Sequence, residues 1–162
     1  MGFLTLATLC ASQLLCPKLT RFLMQGRVDN EGFLYITDRA KDMIIRGGEN
    51  ISCRAVEEAV YAKLGEKVAE CAVFGFPDPV LGEKVGLAVQ LKPGVPRPSL
   101  SNIQSALKDV LAAFQLPSGL AIFTSQLPRG GTGKLLKKAI RDMHRQGELP
   151  FWEEDEKLRG KL

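Results

Sequence analysis

From residue 33 onward the apolar positions change period several times, and each change marks an element. Phe33 to Thr37 and Met43 to Arg46 are short, β-branched and aromatic runs. They predict two strands, or a hairpin, joined across the polar link Asp38–Asp42. Cys53 to Leu64 carries Val56, Ala59, Val60 and Leu64 at helical spacing, with Gly65 placed to close the helix. Val68 to Phe76 is an apolar strand stopped by Pro77-Asp78-Pro79, and Lys84 to Leu91 alternates as a half-buried strand would. Pro93 to Pro98 is a turn-rich link. Ile103, Leu107, Val110 and Leu111 form a helical stripe, and Ala121 to Thr124 gives a last strand after Pro117-Ser118-Gly119. A final helix is predicted from about Lys134 to Arg145. It buries Leu135, Leu136, Ala139, Ile140 and Met143 and turns Lys137, Lys138, Arg141 and Arg145 to the other face. The tail beyond Gly147, with Glu153-Glu154-Asp155-Glu156, reads as solvated or frayed. Strands and helices mixed at this length predict an α+β fold, a small mixed β-sheet flanked by helices.

Composition changes this picture little. Apolar residues at 45% and charged residues at 25% are those of an ordinary globular domain. A net charge of +4 with no interleaved aromatic-basic pattern argues against a nucleic-acid partner. Cys10, Cys16, Cys53 and Cys71 form no Cys-x-x-Cys pair, and His144 is the only histidine, so no metal site is predicted. Reduced thiols in an intracellular compartment are the default reading. The first 25 residues stand apart, because Met1 to Pro17 carries no charge. The run lacks the basic start of a secretory signal, and Thr, Ser and Gln interrupt it before the roughly 20 apolar residues that a membrane span needs. A membrane is therefore not the expected partner. Secretion or anchoring remains the lesser reading, beside an extension of no assigned function.

The densest chemistry lies in Leu127-Pro128-Arg129-Gly130-Gly131-Thr132-Gly133-Lys134-Leu135. Three glycines in four positions free the backbone to approach a ligand, and a lysine follows at once. A phosphate-binding P-loop would need Gly where Pro128 stands and Ser or Thr where Leu135 stands, so that reading fails at both ends. Two readings stay open on this segment alone. One is a helix-entry loop with a solvated lysine; the other is a compact charge offered to a phosphate or a developing anion.

A second segment bears on that choice. Glu31 to Ile51 contains Thr37-Asp38-Arg39-Ala40-Lys41-Asp42 followed by Ile44-Ile45-Arg46-Gly47-Gly48-Glu49-Asn50-Ile51. It resembles the start of the C-terminal domain of adenylate-forming (AMP-binding) enzymes, most closely that of acyl-CoA synthetases. The resemblance extends through Val73-Phe74-Gly75-Phe76-Pro77-Asp78 and Leu81-Gly82-Glu83-Lys84 to the Pro128-Arg129…Gly133-Lys134 loop. Two long motifs in the family's order are far more specific than either alone. They place a family domain at 26–146, an apolar non-family extension at 1–25 and an acidic, polar tail at 147–162.

The resemblance implies a chemistry residue by residue. Family enzymes use ATP with magnesium to convert a carboxylic acid to an acyl-adenylate and then transfer the acyl group to a thiol. The Gly-Gly-Glu-Asn-Ile loop points to coenzyme A as that thiol. Lys134 matches the catalytic lysine that stabilises charge in adenylation. Arg39 matches the arginine that contacts the nucleotide, although its guanidinium would equally suit an ion pair with Asp38 or Asp42. Lys41 stands at the hinge, where backbone rotation carries the domain between two poses. Gly47, Gly48 and Glu49 match the coenzyme A channel, with a plain turn after a strand as the alternative. Ala55 departs from the family, where glutamate often stands. The family's large N-terminal domain, which holds ATP, most of the magnesium contacts and the acyl pocket, has no counterpart in the sequence. The expectation is a lid domain inactive by itself in a cytoplasmic or peroxisomal setting. Its alternatives are a free-standing helper that docks on a separate adenylating domain, or a truncated gene product.

Overall fold

The computed structural model describes residues 24–28, 31–39 and 42–154. It holds two compact units, divided between Met43 and Ile44. In the first, β1 (Met24–Val28) and β2 (Leu34–Arg39) form an antiparallel ribbon with a register shift between Gln25 and Gly26. The second is built on a mixed sheet of β3 (Met43–Arg46), β4 (Glu49–Ser52), β5 (Val68–Asp78), β6 (Gly82–Leu91), β7 (Gly119–Phe123) and β8 (Trp152–Glu154). Three helices accompany it: α1 (Cys53–Leu64), α2 (Leu100–Leu107) and α3 (Lys137–Gln146).

β5 and β6 form the long central hairpin, antiparallel from Val68↔Leu91 to Asp78↔Gly82. β7 runs parallel to β6 along Gly86–Gln90, and β8 pairs antiparallel to β7. β3 joins β6 only at Arg46↔Gly82, the start of that strand.

Strand alternation sorts the core into two layers. Cys71 and Val73 of β5, Val85, Leu87 and Val89 of β6, and Leu120 and Ile122 of β7 face α1 and α2, meeting Val56, Val60, Ile103 and Leu107. Ala72, Phe74, Phe76, Ala88, Ala121 and Phe123 face the other way and meet Leu127 and Ile140 of the α3 side. The sheet is therefore covered on both faces, and the α+β class with a mixed sheet flanked by helices is the observed one.

Several sequence expectations need correction. β6 is buried on both faces from Lys84 to Val89, not half-buried, because α3 covers the face that alternation assigned to solvent. Of the hairpin or two short strands expected over 33–46, the two strands are present: β2 pairs with β1, and β3 with β4. The tail is not frayed through residue 154: β8 extends the sheet there. Glu153 accepts a hydrogen bond from the Leu100 backbone N–H at 2.9 Å, and Glu154 approaches Lys84 at 3.4 Å. The last helix begins at Lys137, one turn later than the apolar period suggested, because Leu135 and Leu136 are held in a bridged loop. Val110 and Leu136, assigned to buried stripes, are exposed.

The sole tryptophan, Trp152, explains a glycine. A Cβ on Gly119 would lie 2.2 Å from the indole Cη2, so β7 has no room for a side chain there. Trp152 packs edge-on to Phe76 and His144 at ring separations of 5.2 and 4.8 Å. This apolar setting pushes the His144 imidazole below its ordinary pKa. Cys53 and Cys71 are buried thiols outside any disulfide, and burial pushes the Cys71 thiol up to about 12, which leaves it unreactive near neutrality. Among the described residues no helix is long and apolar enough to cross a membrane.

Candidate functional site

The glycine-rich loop is a closed hairpin. Arg129 and Leu135 form an antiparallel bridge. Inside it the Gly130 N–H donates to the Lys134 carbonyl at 2.8 Å and the Gly133 N–H to the Gly130 carbonyl at 2.9 Å; just outside it the Leu136 N–H donates to the Pro128 carbonyl at 2.8 Å. Gly133 closes the turn at φ +76°, a conformation that favours glycine. Buried Leu127 anchors one end of the loop and buried Ile140 the helix that follows it. Lys134 is exposed at the tip and makes no ion pair among the described residues. It precedes the first helical residue by three positions, so it is a loop lysine and not a helix N-terminal one. Lys137, by contrast, is committed to structure. Its ammonium pairs with Glu57 of α1 at 2.8 Å, and the same carboxylate oxygen accepts the Val73 backbone N–H at 2.8 Å.

Gly47 and Gly48 form the two-residue turn of the β3–β4 hairpin, with φ of +58° and +90°. Positive φ at both central positions is what the right-handed twist of the strands selects in a type I′ turn. A Cβ on Gly48 would meet nothing within 4 Å, so this backbone is open to a ligand. The Gly47 N–H donates to the Leu81 carbonyl at 2.8 Å, tying the turn to the β5–β6 connection. That connection is itself organised by Asp78. One carboxylate oxygen accepts the Val80 and Leu81 N–H groups at 3.0 and 2.8 Å, and the other pairs with buried Lys84 at 2.7 Å. These partners hold the Asp78 carboxyl down at about 2. Glu49 opens β4 with an exposed side chain.

Ser52 caps α1 and accepts the Ala55 N–H at 3.2 Å. Ala55 therefore occupies the N3 position of a capping box, where a glutamate would return a bond to the cap residue and alanine cannot. Arg39 ends β2 opposite Met24 in the first unit. Lys41 lies outside the described residues.

Lys134 and the Gly47–Gly48 turn are not brought together. The turn sits beside Gly82 at the start of β6. The Lys134 loop is tied through Arg129 to Glu70, whose cross-strand partner is Gln90. Eight residues of strand, at about 3.3 Å each, put roughly 25 Å between these two ends of the sheet. Arg129 carries a role that its place in the motif did not reveal. Its Nη1 donates to the Gly133 carbonyl at 2.7 Å and its Nη2 pairs with Glu70. The Pro128-Arg129 pair before the glycines was the available signal. Among the described residues no cluster of three His, Cys, Asp or Glu side chains could hold a metal ion.

The family model described as AMP-binding enzyme C-terminal domain matches residues 55–134, from the first turn of α1 to Lys134. A feruloyl-CoA synthase of an Amycolatopsis species is 42% identical over 114 residues, which are 70% of this chain and 22% of that protein. A long-chain-fatty-acid–CoA ligase of Bacillus subtilis is 39% identical over 115 residues, 71% of this chain and 20% of its own length. Among solved structures, the o-succinylbenzoate CoA synthetase of Bacillus subtilis, in complex with its acyl-adenylate intermediate, superimposes with a TM-score of 0.65 at 33% identity. The match covers 74% of this chain and 24% of that one. A fatty acyl CoA synthetase of Mycobacterium tuberculosis gives 0.63 at 34% identity, covering 76% and 24%. The chain thus spans about a fifth of the length of the curated relatives it matches. On this evidence the chain belongs to the AMP-binding enzyme C-terminal domain family, as the C-terminal domain found in acyl-CoA synthetases and ligases.

Proposed function

We propose that this domain is the mobile lid of an acyl-CoA synthetase-type ligase, presenting two different loops to one reaction centre in turn. In the first half-reaction a carboxylate oxygen attacks the α-phosphorus of ATP, forming the acyl-adenylate and releasing pyrophosphate. Lys134 supplies a fixed cation to the charge that develops there, the kind of preorganised electrostatic stabilisation that contributes most to many catalysed steps. In the second, the coenzyme A thiolate attacks the acyl carbonyl and AMP leaves. The Gly47–Gly48 turn, with Glu49 beside it, then lines the path of the pantetheine arm, and its bare backbone admits that arm closely. Arg39 contacts the nucleotide, and Lys41 is the hinge between poses. ATP, its magnesium and the carboxylic acid are held by an adenylating domain, in the same polypeptide or a separate one.

The observation that carries this reading is that the strand end beside the glycine turn, at Gly82, and the strand end to which Arg129 ties the Lys134 loop, at Glu70↔Gln90, are eight residues of β6 apart, about 25 Å. One rigid pose cannot deliver both to a single carbonyl, whereas a rotation of the whole domain can. The test is role separation in the chain joined to an adenylating domain. Lys134→Ala should depress acyl-adenylate formation by about a hundredfold or more, on the scale of losing one preorganised donor. Thioester formation from pre-made acyl-adenylate should stay near its normal rate. Lys41→Pro, which fixes φ near −65° and restricts the residue before it, should do the reverse. Equal damage to both half-reactions from both substitutions would overturn the reading.

A further inference from the structure

We propose that Arg129 is a positioning residue for Lys134, a guanidinium clamp that holds the glycine loop in its presenting shape. The geometry supports this on two sides. Nη1 donates to the Gly133 carbonyl, the peptide group immediately before Lys134, at 2.7 Å. Nη2 pairs with Glu70 of β5, so the fork ties the loop tip to the sheet. Little else does. Cβ positions built on Gly131 and Gly133 meet nothing within 4 Å, and on Gly130 only the Leu136 side chain at 3.5 Å or more. The tip is therefore held by hydrogen bonds and not by packing, and each hydrogen bond removed frees backbone whose conformational entropy opposes order.

Arginine suits the task and lysine does not. The planar fork reaches two acceptors in fixed directions, whereas an ammonium is a point charge on a flexible stem. The ion pair is partly solvated, with side chains 40% and 20% exposed, so it contributes little to global stability. Arg129 thus acts on loop order and not on the fold, and the two effects can be measured apart. The link to Lys134 catalysis rests on the proposed function; the clamp itself does not.

The first test is on the full chain without any partner. Backbone amide order parameters for Gly131 to Lys134 should lie near 0.8 in the native chain and fall below about 0.6 in Arg129→Gln, with those of α3 unchanged. Arg129→Lys should not restore them, and Glu70→Gln should lower them part of the way. Loop order that is unchanged in Arg129→Gln, or fully restored by lysine, would overturn the clamp. If Arg129→Gln fails to fold, Glu70→Gln decides by the same readout.

The second test joins the chain to an adenylating domain and follows ATP–pyrophosphate exchange. Arg129→Gln should lower kcat about tenfold with KM for ATP little changed, because a displacement of the loop of order 1 Å is enough for such losses. It should have no further effect in a Lys134→Ala background. Full additivity with Lys134→Ala would overturn the link between clamp and lysine. An unaltered rate in Lys134→Ala alone would instead reject the lysine's role and leave the clamp to the order parameters.

Discussion

Replacing Asp78 with asparagine removes one charge from a junction that holds three segments together. The native carboxylate pairs with Lys84 at 2.7 Å while accepting the Val80 and Leu81 N–H groups, and Leu81 in turn accepts from Gly47. Lys84 is only 5% exposed, and without Asp78 it keeps only Glu154, at 3.4 Å, among its pairs in the described residues. The Asp78 carboxyl is lowered from an ordinary 3.8 to about 2. A displacement of that size corresponds to about 2 kcal/mol of preference for the charged form in the folded state. Solvent at the rim of the sheet trims this to about 1–2 kcal/mol. Because the folded value lies below the unfolded one, the contribution is fully present above about pH 4 to 5 and is lost as pH falls through 2. Urea unfolding of native chain and Asp78→Asn at pH 6, 4 and 3 gives the stability difference directly, and subtraction cancels the other carboxylates. The difference should be about 1–2 kcal/mol at pH 6 and shrink by about half at pH 3. A difference that stays constant from pH 6 to pH 3, or grows as pH falls, would refute the assignment of the charge to this junction.

Three further outcomes follow from the packing. Gly119→Ala should expel Trp152, since its Cβ would stand 2.2 Å from the rigid indole; tryptophan emission should shift to the red, and stability should fall by about 1–3 kcal/mol. An unchanged emission maximum would contradict the close approach. The sole histidine, His144, should titrate by NMR below its ordinary 6.5 because burial disfavours the imidazolium, and the stability tied to this should decline as pH falls from 6.5 through the lower folded value. Gly48→Val should destabilise the domain by about 1–2 kcal/mol, because φ of +90° is strained for a β-branched residue, whereas Gly131→Ala, with open space at its Cβ and no positive φ, should fall within about 0.5 kcal/mol of native in the same denaturation assay.

Legibility in the sequence followed the strength of the local signal. The helix over Cys53–Leu64 and the long hairpin strands were readable because their apolar periods are sustained and bounded by Gly or Pro. β1, β4 and β8 were not. Met24–Val28 and Glu49–Ser52 are short and polar, with Ile51 the one buried residue of β4. The acidic Trp152–Glu154 becomes a strand only because β7 offers an open edge, Gly119 a gap for the indole, and Lys84 and Leu100 partners for the two glutamates. Two-sided burial of β6 was hidden for a related reason, since a central strand's exposure is decided by helices distant in sequence. At the site, Lys134 and the Gly47–Gly48 turn were legible as motifs. The part Arg129 plays within its motif was not, because its partner Glu70 is 59 residues away and only the fold brings them together.

The central claim is that this domain supplies Lys134 to an adenylation centre housed in another domain. The most direct test is ATP–pyrophosphate exchange by the large domain of the Bacillus subtilis o-succinylbenzoate CoA synthetase, with its own C-terminal domain removed and this chain joined in its place. The account predicts that exchange is near background for the large domain alone, rises by at least about tenfold when the native chain is joined, and returns to background with Lys134→Ala. Exchange that rises equally with native chain and with Lys134→Ala would contradict the claim.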